Sequence, residues 1–452
     1  MLFRKLNFEK LGFIILKGRI AFVLILPFFL LKEKDNMDRI TAHYLIETPY
    51  EVAKAAMVLA GEQSSGTFVE TPGETLELKQ RFGAKIEHIE ILESVNQSAI
   101  PGPSTSFRKY HRAKISVSWS LENFGFNLPV MLSTLQGNLY EITQFTGLKL
   151  MDIDFSNSFV SHFRGPKFGI KGTRELTDVP TGRPLIGTII KPSIGMDVET
   201  TATLVKTLLE AGIDFIKDDE LMGSAANSPF DKRVNAIMKV IQKHADSTGK
   251  KVMYAFNISD EMDAMQRNYD KVVEKGGTCA MISINSVGLS ATKKICDRGS
   301  LAIHAHRNGW GMLNRHPLLG IEFKAYQKIW RLAGVDQIHV NGIQNKFWES
   351  DESVVRSIEA CLEPMNKDFE VLPVVSSGQW GGQAFETYKQ TKTTDLLYMA
   401  GGGIMAHPSG PAGGVAAIQQ AWQGAIQGWN METTADHHKE FAQSVAKFGK
   451  IK

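Results

Sequence analysis

The sequence predicts an α/β fold, in which a (β/α)8 TIM barrel is preceded by a smaller α+β domain of the ferredoxin-like kind. After Arg183, eight short apolar and β-branched segments recur, and a stretch with helical spacing follows each of them. Eight strands that alternate with helices over about 250 residues are typical of this barrel. Before Arg183, helices are mixed with strands that alternate in polarity, as in an antiparallel sheet. A doubly wound sheet is the alternative for the second part.

The chain begins with a segment unlike the rest. Residues 1–36 have a basic start and an apolar run from Ile20 to Leu31, which Pro27 interrupts. The run is shorter than the about 20 apolar residues of a membrane-spanning helix, and no small-residue cleavage site follows it. We therefore expect residues 1–36 to be an over-extended start upstream of Met37, with a membrane tether as the alternative.

Residues 37–165 form the predicted α+β domain, and residues 166–452 form the predicted barrel. In the first, "RITAHYLIE" and "AKISVSWSLE" alternate like half-buried strands, whereas "PYEVAKAAMVLAGEQ" and "LPVMLSTLQGNLY" have helical spacing. In the second, the eight strands are expected in "PLIGTIIKP", "IDFIKDD", "KVMYAFNIS", "CAMISINSV", "LAIHAHR", "DQIHVNG", "VLPVVSSG" and "LLYMAGGG".

Charge and cysteine content argue against several classes of function. The net charge is only +3 and no basic stripe with interleaved aromatic residues is visible, so we expect no nucleic-acid partner. Cys279, Cys296 and Cys361 are widely spaced and form no C-x-x-C pair. We expect reduced thiols, a cytoplasmic protein, and small core positions for Cys279 and Cys361.

The second predicted strand ends in "IKDDELMG", and active sites of this barrel lie at such strand ends. Positions i and i+2 of a strand share a face, so Lys217 and Asp219 point together into the barrel mouth, and Glu220 follows them. Two carboxylates provide oxygen ligands suited to Mg²⁺. An ammonium group repels a metal ion, so Lys217 becomes a ligand only if its neutral amine adds CO2 to form a carbamate. A salt-bridged Lys217 beside solvated acids is the alternative.

Other strand ends carry further candidates. "AGGGIMAHPSGPAGG" places three glycines between strand 8 and a helix, where backbone N–H groups can hold a phosphate, although a tight turn alone would also explain them. His306 and Arg307 suggest proton transfer and anion binding. Lys191 can act as an acid or base if its pKa is lowered, or can pair with an acid of strand 2. The remaining polar or glycine candidates are Asn257, His304, His339, Ser376, Ser377, Gly378, Gly401, Gly402 and Gly403.

A family resemblance emerges from these segments taken together. "GTIIKPSIGM", "GIDFIKDDE", "HAHR", "IHVNGIQNKFW", "VVSSG" and "AGGGIMAHPSGPAGG" resemble the large chain of ribulose-bisphosphate carboxylase in order and spacing, from about Met37 to the C-terminus. "GEQSSGTF" and "LQGN" resemble the segments that complete a neighbouring subunit's active site in that family. The resemblance implies a homodimer with shared active sites, or a larger assembly of such dimers.

The resemblance also implies a role for each matching residue. It implies one Mg²⁺ per subunit, bound by carbamylated Lys217, Asp219 and Glu220. It implies that Lys191, His306 and Lys346 are catalytic, with Lys191 the general base of strand 1 and Lys346 the lysine of the loop after strand 6. The residues implied to bind substrate or phosphate are Arg307, His339, Ser376, Gly378, Gly402 and Gly403, together with Glu62, Thr67 and Asn138 acting across the dimer.

Several positions depart from the carboxylase pattern. The departures are Ser193 for a second lysine, Trp310 for a histidine, Phe68 for a phosphate-binding tryptophan, Ser377 for a glycine, and bulky Phe347 and Trp348 beside Lys346. They predict a carboxylase-like protein that does not fix CO2 on a bisphosphate.

Within that group, "HRNGWG", "VNGIQNKFWE" and "SSGQWGGQ" are most similar to members that act on 3-oxo-isoapionate 4-phosphate, a branched β-keto acid formed from apiose. We expect Mg²⁺-dependent decarboxylation of this sugar-acid phosphate through an enediolate. One alternative is a transcarboxylase/hydrolase reaction on the same substrate. Another is an enolase or isomerase of a methylthio-sugar phosphate, against which Asn138 argues because a lysine base stands there in the enolases. A non-catalytic binding protein is the last, and the complete set of Lys217, Asp219 and Glu220 argues against it.

Overall fold

An antiparallel sheet precedes the barrel in the computed structural model, which describes residues 38–65, 72–101, 107–365 and 369–449. Its strands are β1 (Arg39–Thr48), β2 (Lys85–Val95), β3 (Tyr110–Ser120) and β4 (Gly147–Asp154). Its helices are α1 (Val52–Glu62), α2 (Leu76–Phe82), α3 (Leu128–Leu135) and α4 (Asn157–His162), with 3-10 turns at Leu121–Asn123 and Gly137–Glu141. The antiparallel neighbours run in the order β4-β1-β3-β2. This order, with α1 after β1 and α3 before β4, confirms the predicted ferredoxin-like arrangement.

Alternating polarity explains how the sheet buries one face. In β1, Ile40, Ala42, Tyr44 and Ile46 are buried, while the residues between them as far as Leu45 are half-buried. This period of two places the apolar side chains together in the core beneath the helices. The sheet therefore forms where the sequence pattern predicts it.

Eight parallel strands form the closed barrel, each within one of the predicted segments. They are β5 (Leu185–Ile189), β6 (Phe215–Lys217), β7 (Met253–Asn257), β8 (Cys279–Ser283), β9 (Ala302–His306), β11 (Gln337–Asn341), β12 (Leu372–Ser376) and β13 (Leu397–Met399). The barrel closes in the order β11-β12-β13-β5-β6-β7-β8-β9. The TIM-barrel prediction is confirmed, and the doubly wound alternative is wrong.

Helices alternate with these strands because the intervening segments carry helix start and stop signals. Asp197 caps the helix after β5 by accepting a hydrogen bond from the Thr200 N–H at 2.7 Å. Gly334, with φ +102°, ends the helix before β11 in the left-handed conformation. The helices are α5 (Gly169–Thr177), α6 (Val198–Glu210), α7 (Phe230–Thr248), α8 (Met262–Glu274), α9 (Ile284–Val287), α10 (Leu289–Cys296), α11 (Trp310–Asn314), α12 (Phe323–Ala333), α13 (Asp351–Leu362), α14 (Gln383–Thr391), α15 (Gly402–Met405), α16 (Gly410–Ile426), α17 (Met431–His437) and α18 (Lys439–Phe448).

A short strand that the sequence did not predict joins the two parts. β10 (Leu319–Ile321) lies between β9 and α12 and pairs in parallel with β4 of the N-terminal sheet. Unlike the equally short β6 and β13, it lies outside the eight apolar segments of the repeating pattern. The domain boundary between residues 165 and 166 stays a prediction.

Two further expectations concern cysteines and membranes. Cys279 and Cys361 are buried free thiols, as predicted, and Cys296 is half-buried. No helix in the described part of the chain has the length and apolar content to cross a bilayer. The interpretation of residues 1–36 lies outside the described residues.

Candidate active site

Lys217 lies inside the barrel at the carboxyl end of β6. Phe215, two residues earlier, belongs to the barrel's inner core, so the same strand face carries Lys217 inward. The Lys217 side chain is only 1% exposed. Its Nζ donates a hydrogen bond to the Asp218 carbonyl oxygen at 2.8 Å and lies 3.3 Å from Met281 Sδ. Burial lowers the pKa of Lys217, although the neighbouring acids oppose this effect. Burial therefore makes the neutral amine easier to reach than it is for a solvent-exposed lysine.

Asp219 and Glu220 keep their carboxylates at the barrel mouth. Glu220 Oε2 lies 3.6 Å from Lys217 Nζ. Asp219 Oδ2 accepts hydrogen bonds from Lys191 Nζ at 2.5 Å and from the Ser193 hydroxyl at 3.0 Å. Burial opposes ionisation of Asp219, but these contacts with Lys191 outweigh it and lower the pKa of the carboxyl. The ion pair between Lys191 and an acid of strand 2 is thus present, with Ser193 bonded to both partners.

Asp218 stabilises the barrel wall instead of joining the acids at the mouth. Its carboxylate accepts hydrogen bonds from the Tyr254 hydroxyl at 2.6 Å, the Asn257 N–H at 2.9 Å and Arg233 Nη2 at 3.2 Å. The Asp218 and Arg233 side chains are both fully buried. The Asn257 side chain in turn donates to the Glu220 carbonyl oxygen at 3.3 Å. This network fixes the backbone that carries the two mouth acids.

His306 connects the acids with the neighbouring strands. Its Nε2 lies 3.5 Å from Glu220 Oε2, and its ring centroid lies 4.5 Å from that of His339. Burial holds the pKa of both histidines well below 6.5. They are therefore neutral at neutral pH, so each ring has one nitrogen that donates a hydrogen bond and one that accepts.

A chain of hydrogen bonds fixes the orientation of His339. Gln337 Oε1 can only accept, so His304 Nδ1 donates to it at 2.8 Å. His304 Nε2 is then the acceptor of a hydrogen bond that the His339 Nε2–H donates at 2.8 Å. His339 Nδ1 accepts from the Ser376 hydroxyl at 3.0 Å. The tautomer of His339 thus follows from a glutamine at the start of β11.

Arg307 is already bound by the protein itself. Its guanidinium lies 4.9 Å from the ring centroids of both Trp310 and Phe323. Its Nη2 donates to Glu349 Oε2 at 3.3 Å, and the side chain is 5% exposed. The predicted anion-binding arginine therefore has an internal carboxylate partner.

Glycines at the ends of β12 and β13 have different surroundings. A Cβ at Gly403 would come within 2.5 Å of the Gln379 carbonyl oxygen, so only glycine allows this close approach. A Cβ at Gly402 would meet nothing within 4 Å, which leaves open space over the backbone at the start of α15. Gly378 has φ +83° and lies against the carbon chain of Lys346. Lys346 is exposed, and its N–H donates to the Ser377 carbonyl oxygen at 3.2 Å.

The residues expected to act across a dimer lie in the N-terminal part. Asn138 Nδ2 donates to Glu62 Oε1 at 3.5 Å. Within residues 38–65, 72–101, 107–365 and 369–449, neither side chain forms a hydrogen bond or ion pair with the barrel. Thr67 and Phe68 lie outside the described residues. The structure thus brings Glu62 and Asn138 together, apart from the other predicted site residues of the same chain.

The donors at the mouth fit Mg²⁺ if Lys217 is carbamylated. Asp219 and Glu220 provide only two anionic ligands. The described residues contain no group of three His, Cys, Asp or Glu side chains arranged for a metal. The neutral form of the buried Lys217 amine, beside Asp219 and Glu220, is the species that can add CO2 and supply a third anionic oxygen ligand. The oxygen-only set suits a hard cation.

Sequence reasoning missed several residues that shape the site. Ser193 was noted only as a departure, whereas it bonds both Lys191 and Asp219. Gln337 occupies the same strand face as His339. A polar residue at this inward position could have indicated a hydrogen-bond partner for the histidines. Glu349 carried no such signal, because it lies in a loop and meets Arg307 only through the fold.

Comparisons with known proteins place the chain in one family. The ribulose bisphosphate carboxylase large chain, catalytic domain, matches residues 169–448, and the N-terminal domain of the same chain matches residues 31–159. A 3-oxo-isoapionate-4-phosphate decarboxylase of Rhizobium etli is 49% identical over 414 residues, which cover 90% of this chain and 98% of the relative. A 3-oxo-isoapionate-4-phosphate transcarboxylase/hydrolase of Xanthobacter autotrophicus is 48% identical over 400 residues, which cover 88% and 96%.

A solved structure agrees with these relatives. The crystal structure of a rubisco-like protein from Burkholderia fungorum is 42% identical, with a TM-score of 0.85, and the match covers 91% of this chain and all of that one. Both domains, in the same order, are thus shared over nearly the whole length. The chain belongs to the ribulose bisphosphate carboxylase large-chain family.

Proposed function

We propose that the protein is a Mg²⁺-dependent enzyme that decarboxylates 3-oxo-isoapionate 4-phosphate, a phosphorylated branched β-keto sugar acid. The observation that carries the proposal is the buried Lys217 amine beside two mouth carboxylates. The names of the relatives at 49% and 48% identity support the substrate. The departures from the carboxylase pattern at Ser193 and Ser377 support a reaction other than CO2 fixation.

Carbamylated Lys217, Asp219 and Glu220 would hold one Mg²⁺ per subunit. When bound, the metal supplies Lewis-acid polarisation of a substrate carbonyl and stabilises developing negative charge. Carbamate formation turns Lys217 from a cation into an anion next to two acids, so it is favoured only together with cation binding. We therefore expect bicarbonate and Mg²⁺ to activate the enzyme jointly.

Lys191 is the residue placed to move a proton. When CO2 leaves, the electron pair of the broken C–C bond stays on the substrate as an enediolate, and one carbon must be protonated. Lys191 Nζ lies at the mouth, and its side chain is 39% exposed. It donates hydrogen bonds to the Asp219 carboxylate and the Ser193 hydroxyl. It can donate that proton to the carbon and recover it from water.

Neutral imidazoles and backbone amides would orient the substrate. His306 is neutral, so it can hold a substrate hydroxyl without adding charge. His339 is also neutral, but it could do so only in exchange for its hydrogen bond to Ser376. The open backbone at Gly402 would take the phosphate, as glycine-rich strand ends of this barrel do. Exposed Lys346 would cover the substrate from the loop after β11.

We also propose a homodimer in which Glu62, Thr67 and Asn138 complete the partner's site. In support, Glu62 and Asn138 bond to each other and to no barrel residue in the described parts of the chain. Their polar groups are available to a substrate bound by another subunit.

A second candidate is the transcarboxylase/hydrolase reaction on the same substrate. The similarity to the Xanthobacter relative, 48% against 49% for the decarboxylase, favours it almost equally. The same metal site and lysine would serve both reactions. The products distinguish them.

The test is ³¹P and ¹H NMR in D2O of the purified full chain with Mg²⁺, bicarbonate and 3-oxo-isoapionate 4-phosphate. One new ketose phosphate with release of CO2 supports decarboxylation, whereas phosphoglycerate plus glycolate supports the transcarboxylase/hydrolase. An unchanged spectrum contradicts both. Proton exchange with D2O of a methylthio-sugar phosphate, without loss of carbon, would then indicate an enolase or isomerase, and its absence a binding protein.

A further inference from the structure

Glu349 is a buried carboxylate at the barrel mouth, and the proposed chemistry does not use it. Its side chain is 1% exposed. Glu349 Oε2 accepts hydrogen bonds from Asn341 Nδ2 at 2.5 Å and from Arg307 Nη2 at 3.3 Å, and Oε1 accepts from the Ser353 hydroxyl at 2.8 Å. Both oxygens of this carboxylate are thus taken up by donors of the protein itself, one of them cationic.

Arg307 is enclosed by two aromatic rings and a carboxylate. The rings of Trp310 and Phe323 lie close to its guanidinium, each with its centroid 4.9 Å away. Glu349 takes Nη2, and Nη1 is buried without a hydrogen-bond partner among the described residues. Arginine binds phosphate best through two parallel N–H groups on one edge. Each such edge of the guanidinium includes Nη2, so a phosphate bound in this way would compete with Glu349.

Glu349 is held in place from the next strand. The Ser377 hydroxyl donates to Asn341 Oδ1 at 2.7 Å, which turns the Asn341 amide so that its N–H faces Glu349. Ser377 has φ +76°, a left-handed conformation that is unfavourable for a residue with a side chain. The strained residue therefore lies in the chain of contacts that ends at Arg307.

We propose that Glu349 is a specificity-determining residue that fills the anion position of Arg307 and restricts the site to substrates with a single phosphate. The inference rests on the proposed function, in which the phosphate binds at Gly402 after β13. Arg307 follows β9, three strands from β13 around the closed barrel. The Glu349 carboxylate pairs with Arg307 at this distant position and would oppose the binding of a second phosphate there.

The experiment is calorimetric binding of two five-carbon probes, ribulose 5-phosphate and ribulose 1,5-bisphosphate, to the full chain with Mg²⁺ and bicarbonate. Wild type is expected to bind the bisphosphate no more tightly than the monophosphate. Glu349→Gln keeps the shape, and its oxygen can still accept from Asn341 and Arg307 while its new NH2 group donates to the Ser353 hydroxyl, but it removes the negative charge that offsets Arg307. It is expected to raise affinity for the bisphosphate at least tenfold, while affinity for the monophosphate changes less than threefold.

Glu352→Gln is the matched control, because Glu352 is an exposed acid three residues away. It is expected to leave both affinities within twofold of wild type. Bisphosphate affinity that stays equal or falls in folded Glu349→Gln overturns the proposal. The proposal is also overturned if wild type binds the bisphosphate ten times more tightly than the monophosphate. This second outcome tests the proposal even if the Glu349→Gln variant fails to fold. Binding needs no turnover, so absent decarboxylation would count against the proposed function alone.

Discussion

Replacing Asp218 by asparagine is expected to lower the free energy of unfolding by about 3–5 kcal/mol, the usual cost of breaking a fully buried ion pair from one side. Asp218 and Arg233 are both 0% exposed, and the Asp218 carboxylate has three donors. Arg233 and the Asn257 N–H share Oδ2, so the asparagine oxygen must take that position. The Tyr254 hydroxyl can rotate to accept from the new amide. What is lost is the negative charge that compensates Arg233.

The assay is urea unfolding followed by circular dichroism, with Asp219→Asn as the matched variant one residue along the chain. Asp219 pairs with Lys191, whose side chain is 39% exposed and can turn to water, so this change is expected to cost about 1 kcal/mol or less. Asp219→Asn should nevertheless lose Mg²⁺-dependent turnover. The reasoning is refuted if Asp218→Asn unfolds like wild type, or if Asp219→Asn is the more destabilised of the two.

Three further predictions concern Lys217, the glycines of α15 and a buried acid below the mouth. Lys217→Met should abolish turnover in the NMR assay while leaving the urea midpoint at or above that of wild type, because it removes a buried amine; turnover near the wild-type rate would contradict the carbamate. Gly402→Ala should raise KM without changing the urea midpoint, whereas Gly403→Ala should also lower the midpoint, because its Cβ would lie 2.5 Å from the Gln379 carbonyl oxygen; equal midpoints would be the wrong result. Burial raises the pKa of Asp336 from 3.8 to about 6 despite hydrogen bonds from the Ile303, Gly169 and Phe168 N–H groups. Between these values the folded chain keeps a proton that the unfolded chain has released, so relative to Asp336→Asn the free energy of unfolding of wild type should fall by about 2 kcal/mol as the pH rises from 4 to 6. A difference between the two that is independent of pH would contradict this.

The barrel could be predicted because its signal is repeated eight times. Each strand is a short apolar run, and the helix after it has its own spacing and caps, as Asp197 and Gly334 show. β10 could not be predicted, since Leu319–Ile321 gains its partner only when β4 lies beside it. The repeated alternation reveals even the three-residue strands β6 and β13, whereas β10 lies outside that alternation and depends on a contact that is distant in sequence.

The same distinction separates the parts of the candidate site. The strand period predicted that Lys217 and Asp219 share the mouth, and it also explains why Asp218 between them turns into the wall. Gln337 and His304 lie at inward positions of their strands and could have been linked to His339 by that rule. Glu349 could not, because its partner Arg307 is 42 residues away and no period connects a loop with a strand end.

The most direct test of the account is whether Lys217 carries a carbamate. We would record ¹³C NMR of the full chain after incubation with ¹³C-bicarbonate, with and without Mg²⁺, and use Lys217→Met as the control. The account predicts a protein-bound carbamate resonance that Mg²⁺ strengthens in wild type and that is absent from Lys217→Met. No such resonance in active wild type, or the same resonance in Lys217→Met, would contradict it.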